Sequence, residues 1–409
     1  MKILILTTSE SNGGAAIVAC NLASYMQTRG YDVQLLSQDS FVGSHKMPFA
    51  RSLLKGYYRS RRLISRFIGC FDDDKSPIYS SYSVIPSRIV SLIREINPDI
   101  VHLHWIQGEF ISLEQLALIN LPIVWTLHDA WPFTCNSKHH ILKTALDPRY
   151  VNFAPRGIVS RLMASRKKKA INQSDITFVA PSDWMHSIAK ASSIPTNPKI
   201  KLIPNGLNLN VFKPMPRSQS YSFDAHTGAR QSIVLLVSSL ASPSDPVKGF
   251  DLFLNAIRLL QARDYSICLV IMGKSYNVSL PGIKIVRTGC VVDPAELAKI
   301  YNSVDVTCLP SRIETHSQTA CESIACGTPV AAFNAAGNAS IVSDGLTGYL
   351  AHPYDELSFA KAILNCISLS RSESSRNLIS QKANIWDLAS VSQAYISLYH
   401  EIISIRDNS

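Results

Sequence analysis

Short, unbroken apolar runs recur along this chain, each followed by a loop and a helical stretch, and the pattern starts afresh near residue 232. Residues 2–7, 31–37, 100–105, 123–128, 176–180 and 201–203 form the first set, and 232–238, 266–272, 283–287, 305–309 and 329–332 the second. The runs do not alternate apolar with polar, so they read as parallel strands covered on both faces. Helical segments between parallel strands imply right-handed crossovers and a doubly wound α/β sheet. With 409 residues the chain is too long for one core, so two Rossmann-like domains are expected. The first covers 1–210, a polar aperiodic linker 211–230, and the second 231–385. Residues 386–409 read as a helix packing back across the domain junction. Open α/β sheets bind ligands beyond the carboxyl ends of their strands, so two such sheets facing each other would share one central cleft.

Composition narrows the function. No run of about 18 apolar residues suggests a membrane span, and residues 1–7 read as a buried strand rather than a signal peptide. Nine cysteines without a C-x-x-C spacing argue against a zinc site and fit a reducing cytoplasm. The net charge of +10 is one-sided: residues 1–210 hold 24 Lys and Arg against 14 Asp and Glu, and residues 211–409 hold 16 of each. The first half is therefore expected to meet something anionic. No aromatic-basic interleaving or nucleic-acid module appears, so nucleic acid is not the expected partner.

Four motifs fall at strand ends. Gly13-Gly14 lies between the first strand and first helix, where paired glycines let a ligand phosphate approach the backbone; an ordinary βα turn fits as well. It is not G-x-G-x-x-G. In Trp125-Thr-Leu-His128-Asp129-Ala-Trp131, His128 could bond a sugar hydroxyl or form a structural pair with Asp129. His102 and His104 on the neighbouring strand read as core or supporting residues. Lys248, before a helix, suits a phosphate leaving group. The fourth motif runs from Pro310 through Arg312, Glu314 and Glu322 to Gly327-Thr-Pro-Val330, with seven residues between the glutamates. Glu314 sits in a loop. Glu322 sits on an apolar helix, where a buried carboxylate needs donors such as the two hydroxyls of a ribose.

Together with Ile203-Pro-Asn205-Gly206-Leu-Asn208, these features in this order resemble glycosyltransferase family 4, the retaining group with the GT-B fold. The likeness covers nearly the whole chain and is weaker over 40–95 and 135–170. Thr126–Trp131 looks like the branch that builds bacterial surface polysaccharides such as O-antigen, lipopolysaccharide or colanic-acid-like exopolysaccharide. The resemblance implies that Glu314 holds the donor sugar's hydroxyls, Glu322 the ribose and Lys248 the diphosphate. It places Gly13 and Gly14 against that diphosphate or the reacting centre, His128 near the sugar ring, and Asn205 and Gly206 at the nucleotide-sugar site. The backbone N–H groups of Ser317, Gln318 and Thr319 would bind phosphate oxygens. A UDP- or GDP-sugar donor and a saccharide or lipid-diphosphate-linked acceptor follow, with no cofactor and no metal. Retention implies same-face attack, with the donor phosphate taking the acceptor's proton.

The chain departs from the family pattern in places. Ser238-Ser239 replaces a usual Gly-Arg, Val247 an Arg before the Lys, Thr315-His316-Ser317 a Gly-Phe-Gly, and Asn208 an Asp. Arg312 is the candidate to replace the missing cation. These departures keep open a GT-B nucleotide-sugar-binding protein with little or no transferase activity; an epimerase on the same fold fits the ordered features less well. On the basic half, Arg51, Lys55, Arg59, Arg62 and Arg66 recur at helical spacing, with Leu53, Tyr57, Ile64 and Ile68 elsewhere on the helix. That pattern fits a peripheral helix on the anionic inner face of the cytoplasmic membrane, facing the acceptor, and equally a solvated surface helix. The cluster at 166–169 reads as a solvated helix face.

Overall fold

The computed structural model describes residues 1–10, 13–38, 40, 48–71, 81–134, 157–216, 219–223, 232–239, 245–263, 265–273, 278–370 and 372–407, leaving aside the side chains of 48–55 and 239. The chain divides into two compact units, Met1–Gly206 with Ala389–Ser409, and Leu207–Leu388.

In the first unit, β1 (Lys2–Thr7), β2 (Asp32–Ser37), β3 (Ile100–Leu103), β4 (Ile123–Thr126), β5 (Ile176–Ala180) and β6 (Lys199–Leu202) form one sheet in the order β2-β1-β3-β4-β5-β6. Every pairing is parallel. Ile3 to Leu6 are wholly buried, the unbroken run expected of a strand with helices on both faces. The helix α1 (Gly14–Thr28) returns the chain from β1 to β2. It stops at Gly30, whose φ of 84° lets Gly30 and Tyr31 donate back to Gln27 and Met26. Next come α2 (Pro48–Gly69), α3 (Ile89–Ile96), the single turn α4 (Leu113–Leu116), α5 (Gly157–Asn172) and α6 (Asp183–Ala191).

The second unit repeats the plan. β7 (Ile233–Ser239), α7 (Phe250–Gln261), β8 (Ile267–Gly273), β9 (Lys284–Gly289), α8 (Pro294–Asn302), β10 (Val306–Leu309), α9 (Gln318–Ala325), β11 (Val330–Phe333), β12 (Gly348–Ala351), α10 (Glu356–Ser370) and α11 (Glu373–Gln381) follow one another. The sheet order is β12-β11-β10-β7-β8-β9, again all parallel. One face of it is covered by Phe253, Ile257, Phe359 and Ile363 from α7 and α10, the other by Tyr301, Ile324, Ile379 and Trp386. Fully burying each such side chain contributes about 1.5–3 kcal/mol.

The crossing between units falls at Gly206/Leu207, four residues before the boundary read from the sequence. Leu207 and Phe212 already belong to the second core. The reason is a small bridge: Leu207 donates to Trp386 O at 2.7 Å and Leu388 to Leu207 O at 3.0 Å, tying the outgoing and returning chain together. The last helix, α12 (Leu388–Asp407), then packs Val391, Tyr395, Ile396 and Tyr399 against Ile3, Ile5, Leu22 and Ile100 of the first unit. Two polar pins fix its register. Tyr399 Oη lies 2.7 Å from His102 Nδ1, and Tyr395 Oη 2.8 Å from Thr126 Oγ1, which itself lies 2.8 Å from His102 Nε2.

Both sheets reverse direction beside their first strand, between β1 and β3 and between β7 and β10. The loops leaving those strands are where an open α/β sheet opens a ligand crevice.

Candidate functional site

At the reversal point of the second sheet, the loops after β7 and β10 are laced together. Asp245 caps the turn Pro246–Lys248 by accepting from Val247 N at 3.0 Å. Arg312 N donates to Val247 O at 2.7 Å. Gly249, with φ 61°, passes so close to Pro310 that a Cβ there would lie 2.0 Å from its carbonyl oxygen. Across this seam Lys248 Nζ meets Glu314 Oε1 at 2.7 Å, with the carboxylate the more enclosed of the two. Glu314 is held from behind: its carbonyl accepts from Gly337 N at 2.7 Å, an approach that leaves no room for a Cβ at Gly337.

Ser317 closes the same loop as the cap of α9, accepting from Ala320 N at 3.3 Å. Like any helix start, α9 leaves the N–H groups of its first turn without intrahelical acceptors and carries a positive dipole end. Gln318 Nε2 is buried there without a partner among the described residues. One turn on, Glu322 is buried, and Tyr301 Oη donates to its Oε2 at 2.7 Å. Burial pushes its carboxyl up to about 7, against the opposing pull of that hydrogen bond. A second donor pair, such as a vicinal diol, would favour its ionised form.

In the first unit, Gly13 caps α1 at φ 91° and ψ 163°, a region essentially reserved for glycine, and a Cβ there would meet nothing within 4 Å. Among the described residues nothing packs tightly against this turn. Beyond β3 and β4, His104 Nδ1 lies 2.8 Å from His128 Nε2, and the rings stack 5.1 Å apart. Asp129 does not pair with His128. Its carboxylate accepts from Trp105 Nε1 at 2.9 Å, Gln107 Nε2 at 2.6 and 2.7 Å, and Trp131 N at 2.9 Å, tying the two strand-end loops together. Burial depresses His102 to about 3 and His128 to about 4, and holds His104 well below its ordinary value, so all three are neutral at pH 7. The cavity between the loops measures about 10 Å³, far too small for a sugar ring.

Family models match both halves of the chain: Glycosyltransferase Family 4 over residues 12–211, and Glycosyl transferases group 1 over residues 231–368. The chain belongs to glycosyltransferase family 4. Among curated relatives of this family-4 chain are D-inositol 3-phosphate glycosyltransferases of Streptosporangium roseum and Paenarthrobacter aurescens. The first is 26% identical over 295 residues, 65% of this chain and 60% of that one, and the second 30% identical over 279 residues, 63% and 62%. The match to the first thus spans about three fifths of that relative's length. An uncharacterized 41.2 kDa protein in the cps region of Klebsiella pneumoniae is 26% identical over 279 residues, 66% of this chain and 70% of that one. Among solved structures, Anabaena HepE in complex with UDP and glucose superposes with a TM-score of 0.65 at 16% identity, covering 98% of this chain and all of that one. Sucrose-phosphate synthase from Thermosynechococcus elongatus gives 0.67 at 16% identity, covering 99% and 100%. At such identity the likeness is one of fold, and the fold is GT-B.

Within this family-4 chain the structure brings Lys248, Glu314, Ser317, Gln318, Thr319 and Glu322 onto the facing ends of two loops and one helix. Arg312 bonds Asp251 through both terminal nitrogens at 2.9 and 2.7 Å and Pro246 O at 2.5 Å, bracing α7 against the loop. The paired Asp251 carboxylate holds Arg312 above its ordinary value and is itself held low. Asn205 is buried, its Oδ1 without a partner among the described residues, and Gly206 ends the first pass through the first unit. Gly14 is the first residue of α1. No group of three or more His, Cys, Asp or Glu among the described residues could hold a metal ion.

The side chains of Arg51 and Lys55 lie outside the described residues, while Arg59, Arg62 and Arg66 are exposed on α2. The face turned inward is polar: Tyr58, Arg61 and Ser65 are buried, and Arg61 Nη2 donates to Ile85 O. Leu63, Ile64, Phe67 and, just beyond, Phe71 point outward, the two phenylalanines 65% and 66% exposed. The cluster at 166–169 is not wholly solvated either. Lys167 is fully buried, donating to Trp131 O at 2.6 Å and Thr134 O at 2.9 Å, and Arg166 pairs with Glu114 at 2.7 Å. Tyr301, Asp251 and Lys167 were invisible as partners in the sequence, because each acts through a residue 21, 61 or at least 33 positions away.

Proposed function

We propose that this chain moves a sugar from a UDP- or GDP-sugar to a saccharide acceptor with retention at the anomeric carbon. The observation that carries this reading is the Lys248–Glu314 pair at 2.7 Å, set at the reversal point of the second sheet and directly before the first turn of α9. Lys248 and the helix N–H groups of Ser317, Gln318 and Thr319 stabilise the departing diphosphate, Glu314 orders the sugar hydroxyls, and Glu322 takes the ribose. The bond from the anomeric carbon to the phosphate oxygen breaks, the acceptor oxygen bonds on the same face, and its proton passes to the departing phosphate. Catalysis is then positioning plus stabilisation of phosphate charge, with no protein base and no metal. UDP bound in the related HepE structures supports a UDP-sugar donor.

For the acceptor, the relative from a capsule region supports a bacterial surface polysaccharide, and the inositol phosphate enzymes support a phosphate-bearing acceptor. Both agree with a saccharide carried on a lipid diphosphate. Leu63, Phe67 and Phe71 exposed beside Arg59, Arg62 and Arg66 support docking on an anionic inner-membrane surface. Sedimentation with anionic liposomes should exceed that with neutral ones, and equal binding would count against docking. No helix among the described residues is long and apolar enough to cross a membrane.

A second reading, a nucleotide-sugar-binding protein with little turnover, is favoured by the commitment of Arg312 to Asp251. Nucleoside diphosphate release across a panel of UDP-, GDP- and ADP-sugars, with calorimetric binding alongside, separates the two. Release with one donor supports transfer. Tight nucleotide binding with silence across the panel supports the second reading, and no binding at all sinks both.

A further inference from the structure

The hydrogen bond between His104 Nδ1 and His128 Nε2 contains one proton, and the surroundings decide which ring owns it. His104 is 1% exposed, and its Nε2 is buried with no partner among the described residues. If His128 donated, a neutral His104 would have to carry its proton on that Nε2, leaving a buried N–H donor without an acceptor among the described residues. If His104 donates from Nδ1, only a lone pair is left unmatched. Orphaned buried donors are rarer than under-used acceptors, so the second arrangement is favoured. The His104 ring is packed between His102, 4.3 Å away between ring centroids, and His128 at 5.1 Å, on a backbone held by Leu6 O at 2.9 Å and Trp125 Nε1 at 3.1 Å.

We infer that His104 is a positioning residue that fixes His128 as the Nδ1–H tautomer, so that His128 offers a hydrogen-bond donor, not an acceptor, to a hydroxyl-bearing ligand at the carboxyl end of the first sheet. His128 is only partly buried, and the His104 contact is the single hydrogen bond given to it among the described residues. Its Nδ1 edge is thus the one left for a ligand. A neutral donor there suits a sugar oxygen, since its partners are the oxygen lone pairs of a hydroxyl or ring ether. The consequence for turnover rests on the transfer reading above; the tautomer does not.

Long-range ¹⁵N–¹H NMR of the full chain labelled at histidine ring nitrogens tests the assignment, with the His128 signals identified by their loss in His128→Gln. The wild type at pH 7.5 should show His128 protonated on Nδ1. Protonation on Nε2 would overturn the inference without any variant being needed. His104→Asn, whose amide N–H can occupy the Nδ1 position, should keep the pattern; His104→Leu should give a mixture of tautomers. Where a donor sugar is turned over, His104→Leu should lower kcat about tenfold with a smaller change in KM, and His104→Asn should recover most of it. A tautomer shift without that loss would leave the positioning intact and remove its catalytic consequence, whereas equal losses in both variants with an unchanged tautomer would mark His104 as purely structural.

Discussion

At the scale of single residues, the site is a set of charges arranged before any ligand arrives. Lys248 and Glu314 pair across two loops; in the transfer reading proposed above, a bound diphosphate would compete with Glu314 for the ammonium, and removing either partner would strip a contact to the reacting groups. Lys248→Ala and Glu314→Gln should each lower turnover by at least about a hundredfold, and the double variant by less than the product, because the two act as a pair. Wild-type-like rates in both single variants would remove the site assignment. Glu322 makes a different prediction. Its carboxyl, pushed up to about 7 by burial, must be ionised to accept two ribose hydroxyls. Affinity for a nucleoside diphosphate should therefore rise with pH up to about 7 and level off, by up to about tenfold per pH unit. Glu322→Gln binds more weakly but loses this dependence, which also separates it from titration of the nucleotide's own phosphate. Parallel pH profiles in calorimetry would sink the ribose role.

At the scale of elements, the two glycine turns differ in what they require. Gly13 needs glycine for its backbone angles, since a Cβ would meet nothing within 4 Å among the described residues, whereas Gly249 needs it for both its angle and the 2.0 Å approach to Pro310 O. Gly13→Ala should cost roughly 1–3 kcal/mol, and Gly249→Ala clearly more, because the loops after β7 and β10 must part to admit a methyl group. Urea denaturation measures both, and equal costs would mean the seam yields freely. The elements also show where sequence patterning succeeds. Apolar runs without alternation marked the buried parallel strands, and the apolar stretch around Glu322 up to Gly327 marked α9. On α2 the described members of the cationic row, Arg59, Arg62 and Arg66, are exposed, whereas Arg61, outside that row, is folded inward against Tyr58 and Ile85 O, and phenylalanines face out. Periodicity cannot tell a cation on the solvated side from one that covers a backbone carbonyl.

At the scale of the whole molecule, the two units carry buried ionisable groups of opposite consequence. His102 and His128 have folded-state values of about 3 and about 4, below the ordinary 6.5, so their contribution to stability is complete above pH 6.5 and is lost as pH falls through that range. Glu322, raised to about 7 from 4.5, works the other way: its contribution is complete below pH 4.5 and is lost as pH rises to 7. Each group changes stability by about 1.4 kcal/mol per pH unit within its window. Between pH 5 and 7 in the absence of nucleotide, hydrogen exchange should show the first unit gaining protection with pH and the second losing it. Glu322→Gln should abolish the loss, and a loss that persisted in that variant would assign it elsewhere.

What the sequence determined by itself was the architecture and the order of the motifs, because burial on both faces and helix stops are local properties written in consecutive residues. It also placed Glu314 and Glu322 eight positions apart, on a loop and the helix that follows. Which groups those residues meet was decided only by tertiary structure. Lys248 lies 66 positions from Glu314, Tyr301 21 from Glu322, and His104 24 from His128. The first and third pairs form where parallel strands distant in sequence end side by side, and the second where α8 packs beside α9; no local pattern encodes which element becomes whose neighbour.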